Sequence, residues 1–470
     1  MKNFIILVSS SLALILVISA FSCGINESGT SNLESKTGSN HIPYLKKKGP
    51  VTQLMVEEKP FMLICGELGN SVCGSAEFMR PVWKDLEERN LNSVIATVSW
   101  ELVEPEEGKF DFSLVDSVIT GAREANLKLV LIWFASWKNA GSIYIPSWMK
   151  TNYEKYPRAK DEQGKPLEIL STFGEASMNA DAKAFTQLMR HIKQVDSEDQ
   201  TVIMIQVENE MGLRDHDALL PENKHRFGNM EELELAMKVH VGKPQGNARR
   251  DFSEAANKAF NGPVPQKLID YIVEHKKNLF PELLKVWSEN GFKTSGTWEE
   301  VFGKSKYVTE PKDWLFYSYY TEELFMAWNY ASYTGKVAAA GKQEYPLPMY
   351  VNAWLKQRKT FLPGRFPSGG PLPEVLDIWR AAAPSIDFIS PDIYINEFRW
   401  CCKEYTRNGN PLFIPETGGG IYGAARSLFV FGEHDAIGFA PFGIDGGRYD
   451  KNDPLIESYS VLKKNGSHYP

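Results

Sequence analysis

The sequence predicts an α/β fold of the (β/α)8-barrel class, on three observations. Strand-like runs rich in Val, Ile and Leu alternate with segments of helical periodicity from about residue 43 onward. The early strands are apolar on both faces, which is typical of a parallel sheet covered by helices. Eight strands can be counted, the number that closes a barrel. An open dinucleotide-binding sheet is disfavoured, because no Gly-x-Gly-x-x-Gly turn follows any early strand.

The first unit begins with a hairpin in the segment "TQLMVEEKPFMLICGE", with its turn near residues 57–60. Its second arm continues into the first core strand, which ends at Glu67. The segment "FMRPVWKDLEERN" then predicts a helix, because Phe78, Val82 and Leu86 lie four residues apart and share one face.

The second and third units repeat this order. After the strand "SVIATVSW", a helix is expected with Ser113 as its N-cap and with Leu114, Val118 and Ala122 on one face. The third strand, "LKLVLIWFASW", precedes a long loop over residues 143–181. The following helix has apolar residues at helical spacing, namely Phe185, Leu188, Met189 and Ile192.

The fourth strand is "VIMIQVENEMG", residues 202–212. Residues 213–348 are longer than one crossover requires and predict a helical insertion at the C-terminal end of this strand, which is the active-site face of such barrels. Strands five to eight are "PLPMYVNAWL", "SIDFISPDIYI", "PLFIPETGGG" and "AIGFAPFGID", and one closing helix follows in "NDPLIESYSVLKKN".

Composition and net charge exclude some classes of protein and of partner. With 43% hydrophobic residues and a net charge of -7 over 470 residues, the chain is globular and has ample core. The net charge and the absence of a basic patch argue against nucleic acid as a partner.

The N-terminus predicts export. An apolar segment ends in small residues before Cys23, so residues 1–22 are expected to be a signal peptide, with Cys23 lipidated as in bacterial lipoproteins. Residues 23–42 predict a flexible tether, and residues 43–470 the barrel. A plain signal peptide or an uncleaved anchor is the alternative. The expected location is periplasmic or at the cell surface, with a lipid anchor in the outer membrane as the only membrane contact. The remaining cysteines, Cys65, Cys73, Cys401 and Cys402, are expected to be buried free thiols rather than a disulfide.

Two glutamates at strand ends predict an active site. Strand alternation places Met204, Gln206, Glu208 and Glu210 on the inner face, with Glu208 one layer below Glu210 and bound to a donor inside the barrel. Glu210 then lies at the mouth, and Glu416 ends the seventh strand just before three glycines. Two carboxyl groups about 5 Å apart are what retaining glycoside hydrolysis requires. A salt-bridge role for one of them is the alternative.

The segment "QVENEMG" resembles the "QxENEYG" segment of the glycoside hydrolase family 35 β-galactosidases. The segment "SWELVEPEEGKFDF" resembles that family's "PWNxHEPxxGxFDF" and the equivalent segment of family 42. The segment "GELGNS" resembles the Gly-Glu segment in the first strand of that family. The resemblance implies a clan A barrel with Glu210 as acid/base and Asn209 as a ligand of the sugar 2-hydroxyl. Thr97 and Ser136 depart from the family pattern and favour a divergent branch that includes xyloglucan-active enzymes. The C-terminal β-domain usual in that branch is expected to be missing.

Further sugar contacts are expected at the strand ends. Glu67, Asn139 and Asn352 are candidate hydroxyl ligands, with loop capping as the alternative. Aromatic residues suited to stacking on sugar are Trp100, Trp137, Trp354, Tyr394, Trp400 and Phe442, of which about half are expected only to pack. The resemblance implies that Tyr394 hydrogen-bonds the nucleophile.

The sequence thus predicts an exo-acting retaining β-galactosidase on an oligo- or polysaccharide, with Glu416 as nucleophile, no cofactor and no metal, since no His, Cys and Asp cluster has metal spacing. The alternatives are a clan A glycosidase for another β-sugar, and a surface glycan-binding barrel without turnover.

Overall fold

The computed structural model describes residues 42–214, 248–308, 314, 318–359, 361–447, 449 and 452–465. Their main feature is one parallel sheet whose segments run in the order β12-β14-β4-β5-β6-β9-β10-β11-β13. The barrel segments are β4 (Leu63–Glu67), β5 (Ser93–Ser99), β6 (Lys128–Lys138), β9 (Val202–Asn209), β10 (Met349–Trp354), β11 (Phe388–Ile393), β12 (Phe413–Ile414), β13 (Glu416–Thr417) and β14 (Gly438–Phe439). The remaining strands are β1 (Tyr44–Lys48), β2 (Val51–Val56), β3 (Lys59–Pro60), β7 (Arg158–Lys160) and β8 (Pro166–Leu170).

The sheet closes at the seventh barrel position. Segments β12 and β13 are two halves of one strand, interrupted at Pro415, which has no backbone N–H to donate. Because β12 begins the strand order and β13 ends it, the sheet returns on itself, and eight strand positions form a (β/α)8 barrel. The predicted fold class is confirmed.

The N-terminal hairpin lies at the base of this barrel. Strands β1, β2 and β3 form an antiparallel sheet, and Glu57 and Glu58 turn the chain with φ of 50° and 62°. Leu54 and Val56 of β2 join the inner apolar cluster formed by the barrel strands. The hairpin therefore fills the end opposite the strands' C-terminal ends. The predicted turn at residues 57–60 is confirmed, whereas β1 was not expected.

Helices surround the sheet. Their bounds are α1 (Ala76–Glu87), α2 (Trp100–Val103), α3 (Ser113–Glu124), α4 (Ser147–Lys150), α5 (Glu175–Asp196), α6 (Glu254–Phe260), α7 (Gln266–Glu274), α8 (Pro281–Glu289), α9 (Trp298–Phe302), α10 (Tyr320–Glu344), α11 (Leu376–Ala382), α12 (Phe398–Tyr405), α13 (Gly420–His434) and α14 (Pro454–Asn465). An outer apolar cluster joins these helices to the outward faces of the strands. None of the helices in the described ranges combines the length and the apolar character that crossing a membrane requires.

Three local expectations were wrong. In α1 the buried face is Met79, Val82, Trp83 and Leu86, whereas Phe78 is 60% exposed. Helix α3 begins at Ser113 itself, so Phe112 is the N-cap and no side chain caps the helix, while the Asp111 carboxylate accepts the Ser113 N–H. Residues 143–181 are not one loop, since they contain α4, the β7–β8 hairpin and the start of α5. Helix α4 and strands β7 and β8 are too short to show a hydrophobic period.

The segment predicted as a helical insertion, residues 213–348, contains α6 to α10 in its described part. Helix α10 is 25 residues long, is buried along most of its length and packs on α5. The four cysteines at 65, 73, 401 and 402 are buried and free, as expected.

Candidate active site

The end of β9 departs from regular strand geometry. Glu208 and Glu210 have φ of 64° and 47°, in the left-handed region that non-glycine residues rarely adopt. Side-chain alternation therefore fails at this point, and the two glutamates enter different surroundings. Such strained backbone is common at functional sites.

Glu208 lies outside the barrel mouth. Its carboxylate accepts the backbone N–H groups of Ser136 (3.3 Å) and Trp137 (2.7 Å) in β6. It also hydrogen-bonds Asp181 of α5, and burial together with Asp181 raises the pKa of Glu208 well above its ordinary value. Its supporting role agrees with the prediction, but its expected place one layer below Glu210 was wrong, because the left-handed backbone turns it toward the helices.

Glu210 is held by contacts at the ends of β6 and β10. It is 5% exposed, and the Asn139 side-chain amide donates to its Oε2. Its backbone N–H donates to Asn352 Oδ1 (2.8 Å), and its carbonyl accepts the Ala140 N–H (3.0 Å). These contacts fix the main chain and the carboxyl of Glu210 relative to β6 and β10.

Glu416 is held by strand β13 and by Tyr394. The Tyr394 hydroxyl donates to Glu416 Oε1 at 2.7 Å, and Tyr394 follows β11, the neighbouring strand. The glycines after Glu416 serve close packing and a turn: a Cβ on Gly419 would lie 2.2 Å from Tyr449, and Gly420 has φ +65°. The main chain thus leaves the strand directly beside the carboxyl.

The two predicted catalytic glutamates converge. One oxygen from each of Glu210, Glu416 and Asp392 lies within 4.8 Å of the others. The carboxyl of Glu67, 2% exposed, interacts electrostatically with Glu416, Lys138 and Glu210. Four buried or partly buried carboxyls therefore share one site at the C-terminal ends of the strands.

Electrostatics separates the roles of Glu210 and Glu416. Burial, and then repulsion by Glu416, raises the pKa of Glu210 to about 8, against the opposing effects of Lys138 and Arg214. Burial also raises the pKa of Glu416, while the Tyr394 hydrogen bond and the charge of Lys138 lower it. Glu210 is therefore suited to carry a proton at neutral pH, and Glu416 has donors that favour its ionised form.

Four predicted sugar ligands lie in or beside this site. The Asn209 side chain is buried, and neither of its amide atoms has a hydrogen-bond partner among the described residues. Glu67 Oε1 likewise lacks a partner there. Buried polar groups normally have partners, so these atoms are suited to ligand hydroxyls. Asn139 and Tyr394 contact Glu210 and Glu416 directly.

Other predicted ligands have different roles. Both side-chain atoms of Asn352 are engaged within the protein, by Glu210 and by Asp392, so its expected contact with sugar hydroxyls is replaced by positioning. Trp137 is fully buried in the outer core against Tyr330 and Tyr333, which contradicts a stacking role.

The remaining aromatic candidates divide in a similar way. Trp354 is partly exposed, with the Arg214 guanidinium 4.1 Å from its ring. Trp100 is buried and donates to Glu104, so it is structural. Trp400 and Phe442 are partly exposed, and Trp400 stacks on Trp314. Cys23 lies outside the described residues.

Sequence reasoning missed Asp392 and Lys138. Asp392 is two residues before Tyr394 and therefore on the same face of its strand, a signal that was present in "SPDIYI". Lys138, 6% exposed, directly precedes Asn139. Three converging carboxyls are also what a hard cation would require, but Asn139, Asn352 and Tyr394 already donate to them. The absence of a metal stays a prediction.

Comparisons with known proteins identify β-galactosidases among the similar sequences. Residues 76–249 match the model of the glycoside hydrolase family 42 β-galactosidases. A β-galactosidase of Xanthomonas manihotis is 26% identical over 298 residues, covering 58% of this chain and 44% of that protein. The chain thus spans less than half the length of that relative. The family match includes Glu210 and ends before Glu416, and it names family 42, so the likeness to family 35 stays a prediction.

Solved structures share the fold. The catalytic domain of β-amylase from Paenibacillus polymyxa superposes with a TM-score of 0.51 at 13% identity, covering 86% of this chain and 97% of that one. A β-galactosidase from the psychrophilic Marinomonas ef1 gives a TM-score of 0.50 at 12% identity, covering 86% of this chain and 60% of that one. These likenesses show a TIM barrel, and the family match supports a glycoside hydrolase.

Proposed function

We propose that the protein is a retaining, exo-acting β-galactosidase that removes terminal β-galactosyl residues from glycans. The observation that carries the proposal is the approach of Glu210 and Glu416, since one carboxyl oxygen of each lies within 4.8 Å of the other. Retaining glycosidases hold their two carboxyls about 5–5.5 Å apart, whereas inverting enzymes leave about 6.5–9.5 Å for a water molecule. The separation therefore favours retention.

The two carboxyls act in sequence. Glu416, ionised and hydrogen-bonded by Tyr394, attacks the anomeric carbon while Glu210 protonates the departing oxygen. Glu210 is then a carboxylate and takes a proton from the water that hydrolyses the glycosyl ester on Glu416. A pKa of about 8 suits Glu210 for the first step near neutral pH. Once Glu416 is esterified its charge no longer raises that pKa, which suits Glu210 for the second step.

The proposed sugar is galactose, by analogy with the β-galactosidases that the family model and the curated relative represent. Asn209 and Glu67 are proposed to bind its hydroxyls, because their buried polar atoms lack partners in the described residues. Galactosyl side chains of xyloglucan are the proposed natural substrate, on the sequence resemblance alone. Another β-sugar is the alternative.

The test is hydrolysis of aryl β-galactoside, glucoside, fucoside and arabinoside by wild type, Glu210→Ala and Glu416→Ala. We expect wild type to prefer galactoside and both variants to lose most activity. Glu208→Gln is the matched control, since this glutamate lies two residues from Glu210 but outside the mouth. A wild type inactive on every glycoside, or two fully active variants, would contradict the proposal. A faster rate on another sugar would overturn only the galactose assignment.

Azide tests the stereochemistry. With Glu416→Ala, azide should enter from the vacated face and release a glycosyl azide of inverted configuration. With Glu210→Ala, azide should attack the intermediate on Glu416 and yield the retained product. The opposite pairing of products would exchange the two roles.

Export and lipidation at Cys23 are also proposed, on the sequence of residues 1–23 alone. Labelled palmitate should be incorporated into the wild-type protein and not into Cys23→Ser. Equal labelling of both would refute a lipid anchor at this position.

A further inference from the structure

Asp392 is the third carboxyl of the site, and the proposed reaction does not use it. It is 1% exposed at the end of β11, and its Oδ2 accepts the Asn352 side-chain N–H at 2.7 Å. Asn352 also accepts the backbone N–H of Glu210. One amide therefore fixes the main chain of Glu210 and the side chain of Asp392 together.

The contact between Asp392 and Glu210 requires a proton. One oxygen of Asp392 lies within 4.8 Å of one oxygen of Glu210, and the interaction between them lowers the pKa of Glu210 and raises that of Asp392. Because carboxylate oxygens carry only lone pairs, a hydrogen bond between the two groups requires one of them to be an acid. Asp392 Oδ1 is buried without any hydrogen-bond partner among the described residues. A buried ionised oxygen would need a donor, whereas a neutral acid carries no charge there and supplies its own proton to the contact with Glu210, so a proton on Asp392 explains both observations.

The charges around Asp392 favour the same assignment. Glu416, Glu210 and Glu67 face it, and burial together with these three carboxyls raises the pKa of Asp392 well above its ordinary value. Lys138 acts on Glu67, Glu210 and Glu416, and Arg214 acts on Glu210. The other titratable groups that interact electrostatically with Asp392 are Tyr350 in β10, Tyr394, and Cys401 and Tyr405 in α12.

We propose that Asp392 is a positioning residue that remains protonated and donates a hydrogen bond to the Glu210 carboxylate formed when Glu210 protonates the leaving group. This inference rests on the proposed function. In the first step the glycosidic C–O bond breaks, its electron pair leaves with the protonated oxygen, and Glu416 bonds to the anomeric carbon. Asp392 keeps its own proton throughout. In the second step Glu210 regains a proton from water.

The experiment compares Asp392→Asn with Asp392→Leu. Asparagine accepts from Asn352 and still donates to Glu210 without any charge, so it reproduces a protonated aspartate. Leucine has a similar shape and no donor. The measurement is kcat/KM on the aryl galactoside as a function of pH. The basic limb of this profile reports the pKa of the catalytic acid in the free enzyme.

We expect Asp392→Asn to leave the basic limb in place. Asp392→Leu should move it upward by about one pH unit, because the Glu210 carboxylate loses a donor. A downward shift in Asp392→Asn would show that a negative charge had been removed and would overturn the proposal. An unmoved limb in Asp392→Leu would overturn it as well.

Infrared difference spectra between wild type and Asp392→Asn near neutral pH give an independent measurement. The carbonyl stretch of a protonated carboxylic acid should be present in wild type and lost in the variant. A lost carboxylate band instead would refute the protonated state. This measurement needs neither turnover nor a folded leucine variant, so its outcome is separate from a failure of wild type to hydrolyse any glycoside.

Discussion

Tyr394→Phe removes one hydroxyl and one hydrogen bond from the proposed nucleophile. The hydroxyl lies 2.7 Å from Glu416 Oε1. A hydrogen bond to a charged group contributes about 1.5–3 kcal/mol, and the low end applies because Tyr394 is 45% exposed. About 1.5 kcal/mol corresponds to about one pH unit in the pKa of Glu416.

The sign of the shift follows from the ionised form. The Tyr394 hydrogen bond lowers the pKa of Glu416, so its loss raises that pKa. Because attack requires the carboxylate, the acid limb of kcat/KM against pH should move upward. Below the wild-type acid limb the rate should fall about tenfold, with a smaller loss on the plateau. The basic limb belongs to Glu210 and should stay in place.

The control is Tyr422→Phe, which removes a hydroxyl from a tyrosine that is 76% exposed in α13. This variant should match wild type at every pH, and both variants should keep the wild-type melting temperature. An acid limb that stays in place in Tyr394→Phe, or a shift of the basic limb alone, would refute the assignment of Glu416 as the group held ionised by Tyr394.

Three other variants test the surrounding assignments. Glu210→Gln should lose about 10²–10⁴-fold in rate on a galactoside with a poor leaving group and much less on a dinitrophenyl galactoside; equal losses would contradict its role as acid. Trp137→Ala should lower the free energy of unfolding by about 3–5 kcal/mol in denaturant titration, because it leaves a cavity in the core. An unchanged stability with a raised KM would instead support the predicted contact of Trp137 with sugar. Glu208→Ala should destabilise by about 1–3 kcal/mol for each backbone N–H left without an acceptor, whereas Glu208→Gln should cost less; equal effects would argue against this contact.

The barrel was predictable because its strands are buried on both faces and because turn signals separate them from amphipathic helices. The position of β6, the C-terminal part of α5, and the pairing of Glu210 with Glu416 followed from periodicity and from the rule that strand ends share one face. Periodicity failed where the backbone left the regular region. The left-handed φ of Glu208 turns its side chain to the opposite face of the strand from the predicted one, and no pattern of residue types predicts such a turn.

The sugar-binding set was less predictable for a related reason. Asn352 and Trp137 both lie at strand ends, as a ligand-binding residue would. Only tertiary contacts show that Asn352 is engaged by Glu210 and Asp392, and that Trp137 turns outward against Tyr330. Position along a strand predicts the layer of a residue, but its partner in the next strand or helix decides its role.

The end of strand β11 resolves a conflict that the reaction imposes on this site. Two carboxyls held within 4.8 Å repel each other when both are ionised, yet the first step needs one neutral and the other charged. Asp392 and Tyr394 are two residues apart and therefore share a face. Tyr394 donates to Glu416 and favours its charge before the attack, whereas Asp392, as proposed above, donates to Glu210 once Glu416 has been esterified and Glu210 has lost its proton. One strand end thus stabilises the ionised form of each carboxyl in turn, so Tyr394→Phe should move the acid limb upward and Asp392→Leu the basic limb upward.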